Sequence, residues 1–278
     1  MIVVTGGTGF VGRRLIKRIQ GEYKIITRKP SDKNHEKADI RRYEDVLKAT
    51  KDAEVIIHLA VNSNHFGSFK NSYETNVIGT KNLLKAAEKN QVEKFIYLSS
   101  AAVNSPYNTN YTLSKKLAEQ EVLKHLETMN ISILRPSFIY DEKRISAMKK
   151  AFMLPFPFKK QKLRLCYIET ITDAIIKAVE KGKNKIYEVG DKKEITLTEL
   201  RKAVTKNPLW VPGFLIETAA IMTSPIEIIT SFTDYKIPIS SFILNSFTDK
   251  TLNVRESARE LKYKQYDTIK LFKQGAVV

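Results

Sequence analysis

The stretch from Met1 to Leu15, MIVVTGGTGFVGRRL, decides the fold. Its first five residues predict a short buried strand, and Gly6 to Gly12 predict a glycine-rich turn into a helix. The helix is amphipathic, with Leu15 on its apolar face and Arg14 on its basic face. A strand followed by such a turn and a helix directs free backbone N–H groups at a pyrophosphate, and glycines keep side chains out of its way. We therefore predict a dinucleotide site here, the alternative being a tight turn without a ligand.

The glycines of this turn fit two spacings. Gly7, Gly9 and Gly12 fit the general G-x-G-x-x-G pattern, whereas Thr5 followed by Gly6, Gly9 and Gly12 fits the narrower T-G-x-x-G-x-x-G. The strand-turn-helix context required for a nucleotide fingerprint is present. It favours the dinucleotide interpretation over the ligand-free turn.

Composition limits the class of protein. The chain has 278 residues, of which 42% are hydrophobic, enough for one large α/β domain. The single cysteine, Cys166, has no internal partner for a disulfide, and no leader precedes the first strand, so we expect a cytoplasmic protein. The net charge of +17 is spread along the chain without a nucleic-acid motif, which favours a solvated basic surface over nucleic-acid binding.

No segment has the 20 or so uninterrupted apolar residues that a bilayer span needs, so we predict no membrane span. The nearest candidate, Leu209 to Phe232, is interrupted by Pro212, Glu217, Pro225 and Glu227. We predict amphipathic helices there. Contact with a membrane surface is the alternative.

Strand and helix patterns alternate along the first two thirds of the chain. The predicted strands are Met1–Thr5, Tyr23–Thr27, Ala38–Ile40, Glu54–Ala60, Lys94–Ser99, Asn130–Arg135 and Lys185–Val189. The predicted helices are Tyr43–Thr50, Tyr73–Asn90, Tyr111–Met129 and Thr170–Glu180, and Pro155 to Phe158 should interrupt regular structure. This alternation predicts an α/β fold, a doubly wound parallel (Rossmann) sheet with a small C-terminal substrate-facing lobe. We assign residues 1–136 and about 166–190 to the nucleotide-binding domain, and about 137–165 and 191–278 to the lobe.

Tyr111 and Lys115 lie four residues apart in a predicted helix, and therefore on one face. A nearby ammonium favours the phenolate, so it lowers the pKa of a tyrosine from its ordinary value near 10. Ser100 follows an apolar strand and offers a hydroxyl for a substrate oxygen. Together these side chains could exchange a proton with a substrate, although Tyr-x-x-x-Lys alone also occurs as a surface pair.

Further motifs occur in a characteristic order. They are Thr5 to Gly12, His58-Leu59-Ala60, Asn76 to Thr80, Leu98-Ser99-Ser100, Tyr111 to Lys115, Leu134 to Tyr140, Tyr187 to Gly190, Ile195 to Leu200 and Ala258 to Tyr263. With them the chain resembles the extended and atypical short-chain dehydrogenase/reductases, the NAD-dependent epimerase/dehydratase group. The resemblance covers nearly the whole chain and is more specific for family than for reaction.

The resemblance implies a role for each matching residue. Tyr111 would be the general acid/base, Lys115 would lower its pKa and hold the nicotinamide ribose, and Ser100 would orient the substrate oxygen. The implied cofactor-binding residues are Gly6, Gly9, Phe10, Val11, Gly12, Arg28, Lys29, Asp39, Ile40, Leu59, Ala60, Asn76, Tyr111, Lys115, Pro136, Ser137 and Phe138. The resemblance also implies a homodimer, paired through the helices predicted at 73–90 and 111–129.

The end of the second strand departs from the usual NAD pattern. An acidic residue commonly binds the ribose 2′-OH there, but this chain has Thr27-Arg28-Lys29. Two cations suit a 2′-phosphate. We therefore expect NADP(H) to be preferred, with NAD(H) the alternative.

Two features bear on the substrate. Only eleven positions separate Ser100 from Tyr111, which leaves little loop to cover a sugar, and Ala101 and Ala102 offer no carboxylate for a dehydratase. By contrast, eight cations and no acid lie between Lys143 and Arg164, which would suit an anionic substrate if they are more than a solvated face.

We thus predict an NAD(P)-dependent oxidoreductase that moves hydride between the nicotinamide and a secondary alcohol or carbonyl of a small-molecule substrate. The alternatives are a nucleotide-sugar epimerase and a non-catalytic NADP(H)-binding sensor or structural subunit. We predict no metal site, because His35, His58, His65 and His125 lack the spacing of metal ligands. Trp210, Phe152, Phe156 and Phe158 could line an apolar pocket or simply pack in the core.

Overall fold

The computed structural model describes residues 1–151, 156–157, 161–205, 210–212, 214–231, 235–246 and 251–274. The elements of the first half are β1 (Ile2–Thr5), α1 (Phe10–Ile16), β2 (Tyr23–Thr27), β3 (His35–Lys37), α2 (Tyr43–Ala49), β4 (Val55–His58), β5 (Gly67–Ser68), α3 (Phe69–Tyr73), a π-helical turn (Glu74–Ile78), α4 (Gly79–Lys89), β6 (Lys94–Leu98), a 3-10 turn (Ala101–Asn104) and α5 (Asn110–Leu123). Those of the second half are β7 (Ile131–Pro136), β8 (Ile139–Tyr140), α6 (Glu142–Ala151), β9 (Phe156–Pro157), β10 (Lys162–Leu163), β11 (Cys166–Tyr167), α7 (Ile168–Lys181), β12 (Lys185–Val189), β13 (Ile195–Thr196), α8 (Leu197–Val204), β14 (Trp210–Val211), α9 (Phe214–Ser231), β15 (Tyr235–Lys236), α10 (Ile239–Ser246), α11 (Val254–Leu261) and α12 (Thr268–Gln274).

Seven strands form one sheet in the order β3-β2-β1-β4-β6-β7-β12, and all its neighbours are parallel. The chain order reverses between β1 and β4, the place where doubly wound sheets bind ligands at the carboxyl ends of their strands. The α/β fold class predicted from the sequence is confirmed. The strand predicted at Lys185–Val189 is also confirmed, as β12 at the edge of this sheet.

Helices cover both faces of the sheet. Helices α1 and α7 pack on one face, and α2, α4 and α5 pack on the other. Strand residues such as Val4 and Ile57 are buried with the first group, and Val3 and Ile56 with the second. Both faces of the central strands are therefore apolar, as expected for a buried parallel sheet.

The prediction of a third strand at Ala38–Ile40 was wrong, because β3 lies at His35–Lys37. The amide of Ala38 still donates to Thr27 of β2, at 3.1 Å. The amide of Asp39 donates instead to the Asp45 carboxylate, and the carbonyl of Ile40 accepts from Asn82. These side-chain bonds replace a strand partner, so the chain leaves the sheet here.

Two predicted helices have different bounds. The helix predicted at Tyr73–Asn90 is divided by the π-helical turn, which leads into α4. The helix predicted at Tyr111–Met129 begins at Asn110 and ends at Leu123, because the next residues form tighter three-residue turns, such as His125 N–H to the Val122 carbonyl at 3.1 Å.

Asp191 holds further elements of the second half of the chain beside the edge of this sheet. Asp191, which follows β12, accepts hydrogen bonds from Tyr140 Oη at 2.6 Å and from the Thr170 and Thr268 hydroxyls at 2.8 Å. It therefore joins β8, α7 and α12, and burial raises its pKa. The division into a nucleotide-binding domain and a lobe stays a prediction.

Helix α9 lies within the segment for which we predicted amphipathic helices, and Pro225 is inside it. Among the described residues, no helix combines the length and the apolar character that crossing a bilayer requires. Cys166 is buried in β11, as its apolar surroundings predict. Of the aromatic residues considered for a pocket, Phe152 and Phe158 lie outside the described residues, and only the backbone positions of Phe156 and Trp210 are described.

Candidate active site

A cleft of about 1040 Å³ opens at the carboxyl ends of β1, β4, β6 and β7. The residues predicted for the cofactor or the chemistry that line it are Gly6, Gly9, Phe10, Val11, Gly12, Arg28, Lys29, Asp39, Ile40, Leu59, Ala60, Ser100, Tyr111, Lys115, Pro136, Ser137 and Phe138. Of the predicted set, Asn76 alone is not among the lining residues. Residues up to 132 positions apart in the chain thus surround one cavity.

The glycine-rich turn forms one wall of the cleft. Gly6 has φ +70°, and a Cβ there would lie 2.6 Å from the backbone nitrogen of Ala60. A Cβ on Gly12 would lie 2.2 Å from the carbonyl oxygen of Gly6. Only glycine permits the turn to close this tightly on itself and on the end of β4, and this closure leaves the cleft open above it.

The cleft also contains a buried polar atom that fits a bound ligand. Ser137 Oγ lines the cleft and has no hydrogen-bond partner among the described residues. A buried hydroxyl without a partner is unfavourable unless a ligand or water satisfies it. Together with the glycine wall and the hydroxyls opposite, this site fits a nicotinamide dinucleotide.

The start of α5 places Tyr111 in the cleft. Thr109 caps the helix, and its hydroxyl and that of Thr112 bond reciprocally to the two backbone amides. The Asn110 side chain donates to the carbonyl of Gly67 at 2.8 Å, which fixes the loop beneath. Tyr111 therefore lies in a first turn that is held at two points.

Ser100 reaches Tyr111 from the end of β6. Its hydroxyl accepts from the amide of Ala102 at 3.1 Å and shares a hydrogen bond with the Tyr111 side chain. Burial raises the pKa of Tyr111, and the hydrogen bond with Ser100 opposes that rise. The two hydroxyls together could therefore bind a single substrate oxygen.

Lys115 is buried one helical turn beyond Tyr111. Its Nζ donates to Tyr97 Oη and to the Leu98 carbonyl, both at 2.8 Å, so that β6 fixes its position. Burial lowers the pKa of Lys115 to about 7. The expectation that Lys115 lowers the pKa of Tyr111 stays a prediction, since the ammonium bonds here to β6.

A buried ion pair lies behind Lys115. The Glu119 carboxylate accepts from Arg135 Nε at 3.1 and 3.0 Å and also bonds the Ser99 hydroxyl. It links α5 to the ends of β6 and β7. The helix that carries Tyr111 is thereby fixed to the sheet that carries Ser100.

The resemblance implies that Asn76 binds the cofactor, and the structure describes its contacts with the loop after β4 and with α5. Its side-chain amide donates to the Asn62 carbonyl at 2.9 Å and to Ser114 Oγ at 2.8 Å, and its oxygen accepts from the Asn62 amide at 2.7 Å. Asn76 thus acts behind the cleft wall. It ties the loop after β4 to α5.

The end of the cleft near β2 and β3 carries charge. Arg28 and Lys29 are exposed there, and Asp39 is held by Arg41, whose Nε lies 3.0 and 3.1 Å from its carboxylate oxygens. The hydrogen bond from Arg41 keeps the pKa of Asp39 below its usual range. Arg41 also pairs with Glu74 at 3.8 Å, so three cations face two acids in this group.

The cleft has lining residues that the sequence did not predict, and three of them make charge or ring contacts there. The guanidinium of Arg144 lies 3.9 Å from the ring centroid of Phe10, the ring of His65 lies 5.2 Å from that of Tyr111, and Arg41 pairs with Asp39. Arg144 appeared in the sequence only as part of a basic run. The other two carry no local signal, because loop packing brings them to the cleft.

The described cations of the basic run between residues 143 and 164 lie in different places. Arg144 lines the cleft, whereas Arg164 lines a second, adjoining cleft of about 710 Å³ and pairs with Glu194 at 3.4 Å. Thr251 and Leu252 line both cavities. Two of the predicted cations, Lys159 and Lys160, lie outside the described residues.

A model of the NAD dependent epimerase/dehydratase family matches residues 2–190, which is more than half of the chain. The chain belongs to this family. It is 27% identical over 253 residues to the UDP-glucose 4-epimerase of Vibrio cholerae, an alignment that covers 75% of this chain and 77% of the relative. It is 29% identical over 244 residues to a putative UDP-glucose 4-epimerase of Methanocaldococcus jannaschii, covering 72% and 80%.

A solved structure agrees with the fold. The UDP-N-acetylglucosamine 4-epimerase of Bacillus cereus superposes with a TM-score of 0.74 at 17% identity, covering 98% of this chain and 94% of that one. This epimerase/dehydratase family member is accordingly an enzyme that depends on a nicotinamide cofactor.

Proposed function

We propose that this chain transfers hydride between NADP(H) and a secondary alcohol or carbonyl, with Tyr111 as the general acid/base. The convergence of Ser100, Tyr111 and Lys115 on the cleft that the glycine-rich turn borders supports this proposal most strongly. The nicotinamide would supply or accept the hydride. All proton transfer would fall to side chains of this chain.

In the oxidative direction, the substrate hydroxyl would bond to Ser100 and Tyr111. The carbon–hydrogen bond breaks with its electron pair leaving as hydride, and the hydroxyl proton passes to the Tyr111 phenolate. In the reductive direction Tyr111 returns that proton to the developing alkoxide. Lys115, held by Tyr97 and Leu98, would bind the nicotinamide ribose and favour the phenolate.

Replacement of the phenol tests this assignment. The Tyr111→Phe variant removes the proton donor and keeps the ring, so we expect the turnover number to fall by about 10² to 10⁴ while cofactor affinity changes little. Steady-state rates and cofactor titration by fluorescence measure the two quantities.

The control is Tyr107→Phe, the same change four residues upstream of the site. It should leave both quantities unaltered. Undiminished turnover of Tyr111→Phe would remove Tyr111 from the mechanism.

The cofactor preference rests on charge. Arg28, Lys29 and Arg41 gather at the end of the cleft near β2 and β3, where Arg41 pairs with Asp39 and Glu74 and the exposed Arg28 and Lys29 face the cleft. A ribose 2′-phosphate would bind there as a dianion, whereas a 2′-hydroxyl gains little from cations. This supports NADP(H) over NAD(H).

A nucleotide-sugar epimerase is the second candidate, because a cationic cleft adjoins the active site. Arg164, Arg255 and Arg259 line that cleft with the acids Glu194 and Glu256, and it continues into the first past Leu252. A diphosphate could bind across this junction. Two relatives described as UDP-glucose 4-epimerases support the same candidate.

The candidates differ in cofactor turnover. An epimerase oxidises and re-reduces one substrate, so it gives no net change in the reduced-nicotinamide absorbance and retains its cofactor through purification. A net oxidoreductase exchanges free cofactor and changes that absorbance with each turnover. Assays with simple ketones and with UDP-sugars distinguish them.

We also propose a homodimer that pairs through α4 and α5, and a cytoplasmic location. Both follow from the sequence-based expectations rather than from a contact in this structure. Sedimentation should give about twice the chain mass of 31.8 kDa.

A further inference from the structure

Arg144 lies in the first turn of α6, and its side chain lines the active-site cleft. Its guanidinium carbon is 3.9 Å from the ring centroid of Phe10 and 5.6 Å from that of Phe138. The same guanidinium donates a hydrogen bond to the carbonyl of Ile139. Two aromatic rings and a backbone carbonyl therefore hold this cation at the wall of the cleft.

The two rings show which part of the cleft Arg144 faces. Phe10 directly follows Gly9 of the glycine-rich turn, the wall at which a dinucleotide places its pyrophosphate. Phe138 follows β7, at the place expected for the nicotinamide. A guanidinium that contacts both rings lies between these two positions, beside the middle of the dinucleotide.

The other cations that line the cleft lie elsewhere. Arg28, Lys29 and Arg41 are at the end near β2 and β3, and the Lys115 ammonium bonds to β6. The glycine-rich turn itself offers backbone amides but no charged side chain. Of the described residues that line the cleft, Arg144 is thus the cation in contact with this turn. It is the side chain placed to compensate the negative charge of a pyrophosphate there.

The guanidinium of Arg144 forms no ion pair with a carboxylate in the part of the chain that the structure describes. Asp141 accepts a hydrogen bond from the backbone amide of Arg144 instead, at 2.8 Å. Glu142 is held by Arg14 at 3.6 Å and by the hydroxyl of Tyr167. Burial lowers the pKa of Arg144, and the charge of Asp141 opposes this shift without reversing it. An anion bound in the cleft would compensate the guanidinium.

We propose that Arg144 binds the pyrophosphate of the nicotinamide cofactor, which it reaches from α6. A guanidinium presents its N–H donors in a planar fork that matches two phosphate oxygens at once. The ring of Phe10 would keep that plane in place beside the glycine-rich turn. This inference rests on the nicotinamide cofactor of the family, and neither on the proposed role of Tyr111 nor on the preference for NADP(H).

Cofactor binding in the absence of substrate tests the proposal. Arg144→Met removes the charge and keeps an unbranched stem that can pack on the rings. Isothermal titration calorimetry with the purified full chain should show NADPH, NADH and ADP-ribose each binding about tenfold more weakly or more. ADP-ribose contains the pyrophosphate but neither the nicotinamide nor a 2′-phosphate. The three losses should therefore be similar in size.

Two further variants separate a phosphate contact from a general effect of charge. Arg144→Lys keeps the positive charge without the fork, so it should lose less affinity than Arg144→Met. Lys143→Met is the matched control, because Lys143 is exposed and lines neither cleft. It should bind all three ligands within about twofold of the wild type. Circular dichroism checks that every variant is folded.

Four outcomes would overturn the proposal. The first is a wild type that binds none of the three ligands, and the second is an Arg144→Met variant that binds ADP-ribose as the wild type does. The third is a loss confined to NADPH, which would place Arg144 at the 2′-phosphate. The fourth is an equal loss in Arg144→Met and in either Arg144→Lys or Lys143→Met. Because only binding is measured, a failure of the proposed chemistry at Tyr111 would leave these results unchanged.

Discussion

Arg28 carries the test of cofactor choice at the level of a single residue. A charge-assisted hydrogen bond contributes about 1.5 to 3 kcal/mol, so Arg28→Ala should weaken NADPH binding about tenfold to a hundredfold and change NADH binding little. Titration of both cofactors measures this. Lys33→Ala, which removes an exposed cation outside the cleft lining, is the control. If Arg28→Ala weakened the binding of NADPH and of NADH equally, a contact between Arg28 and the 2′-phosphate would be contradicted.

His58 predicts how stability depends on pH. It is buried between Thr5, at 2.7 Å, and Thr80, at 2.9 Å, and burial lowers its pKa from 6.5 to about 3. Below pH 6.5 the unfolded chain binds a proton at this residue that the folded chain does not. As the pH falls from 7.5 to 5, proton binding by this residue in the unfolded chain should therefore lower the free energy of unfolding by about 2 kcal/mol.

The His58→Gln variant isolates this effect. Glutamine can form hydrogen bonds with both threonines but does not titrate. Urea unfolding at pH 7.5 and at pH 5 should therefore show that the variant loses less free energy of unfolding on acidification than the wild type does. His35→Gln is the control and should keep the wild-type dependence. The prediction fails if His58→Gln loses as much stability as the wild type.

The residues of the site could be predicted from the sequence to different degrees. Ser100, Tyr111 and Lys115 belong to local motifs, and all three line the cleft. The bond from Lys115 to Tyr97 could not be predicted, because it depends on how α5 packs against β6. Arg14 was predicted on the basic face of the first helix, and the structure adds that α7 brings Glu169 to it as an ion-pair partner.

At the level of elements, the buried ion pair between Glu119 and Arg135 should contribute strongly to the stability of the fold. Loss of one partner leaves a buried charge without compensation, so Glu119→Ala should lower the free energy of unfolding by about 3 to 5 kcal/mol. Chemical denaturation measures this change. Loss of this ion pair would also free Tyr111 to shift relative to Ser100.

Glu121→Ala on the same helix provides the control. Glu121 pairs with Lys81 and Lys124, whose side chains are more exposed, and such pairs contribute less than about 1 kcal/mol. Equal losses for the two variants would show that the buried pair has no special role.

Elements with a strong local pattern were predicted well. The alternation of strands and helices gave the strands of the sheet apart from β3, and the glycine spacing gave the turn after β1. The position of β3 and the π-helical turn depend on side-chain bonds between distant segments, such as Asn82 to Ile40 and Asn76 to Asn62. No local pattern encodes those partners.

At the scale of the whole molecule, the parallel sheet brings four strand ends and one helix start together around a single cleft. The sequence predicted this convergence because parallel strands end on one edge. It did not predict that α9 would expose apolar side chains such as Ile221 and Met222, since a helical period defines a face without telling which way it points.

A crystal structure of this chain with NADPH would show whether Tyr111 can exchange a proton during hydride transfer. We expect the adenosine 2′-phosphate at Arg28, and the nicotinamide beside Pro136 to Phe138. Its C4 atom and the Tyr111 hydroxyl should then be separated by the width of one substrate carbonyl group. A nicotinamide bound elsewhere, or a Tyr111 hydroxyl turned away from C4, would contradict it.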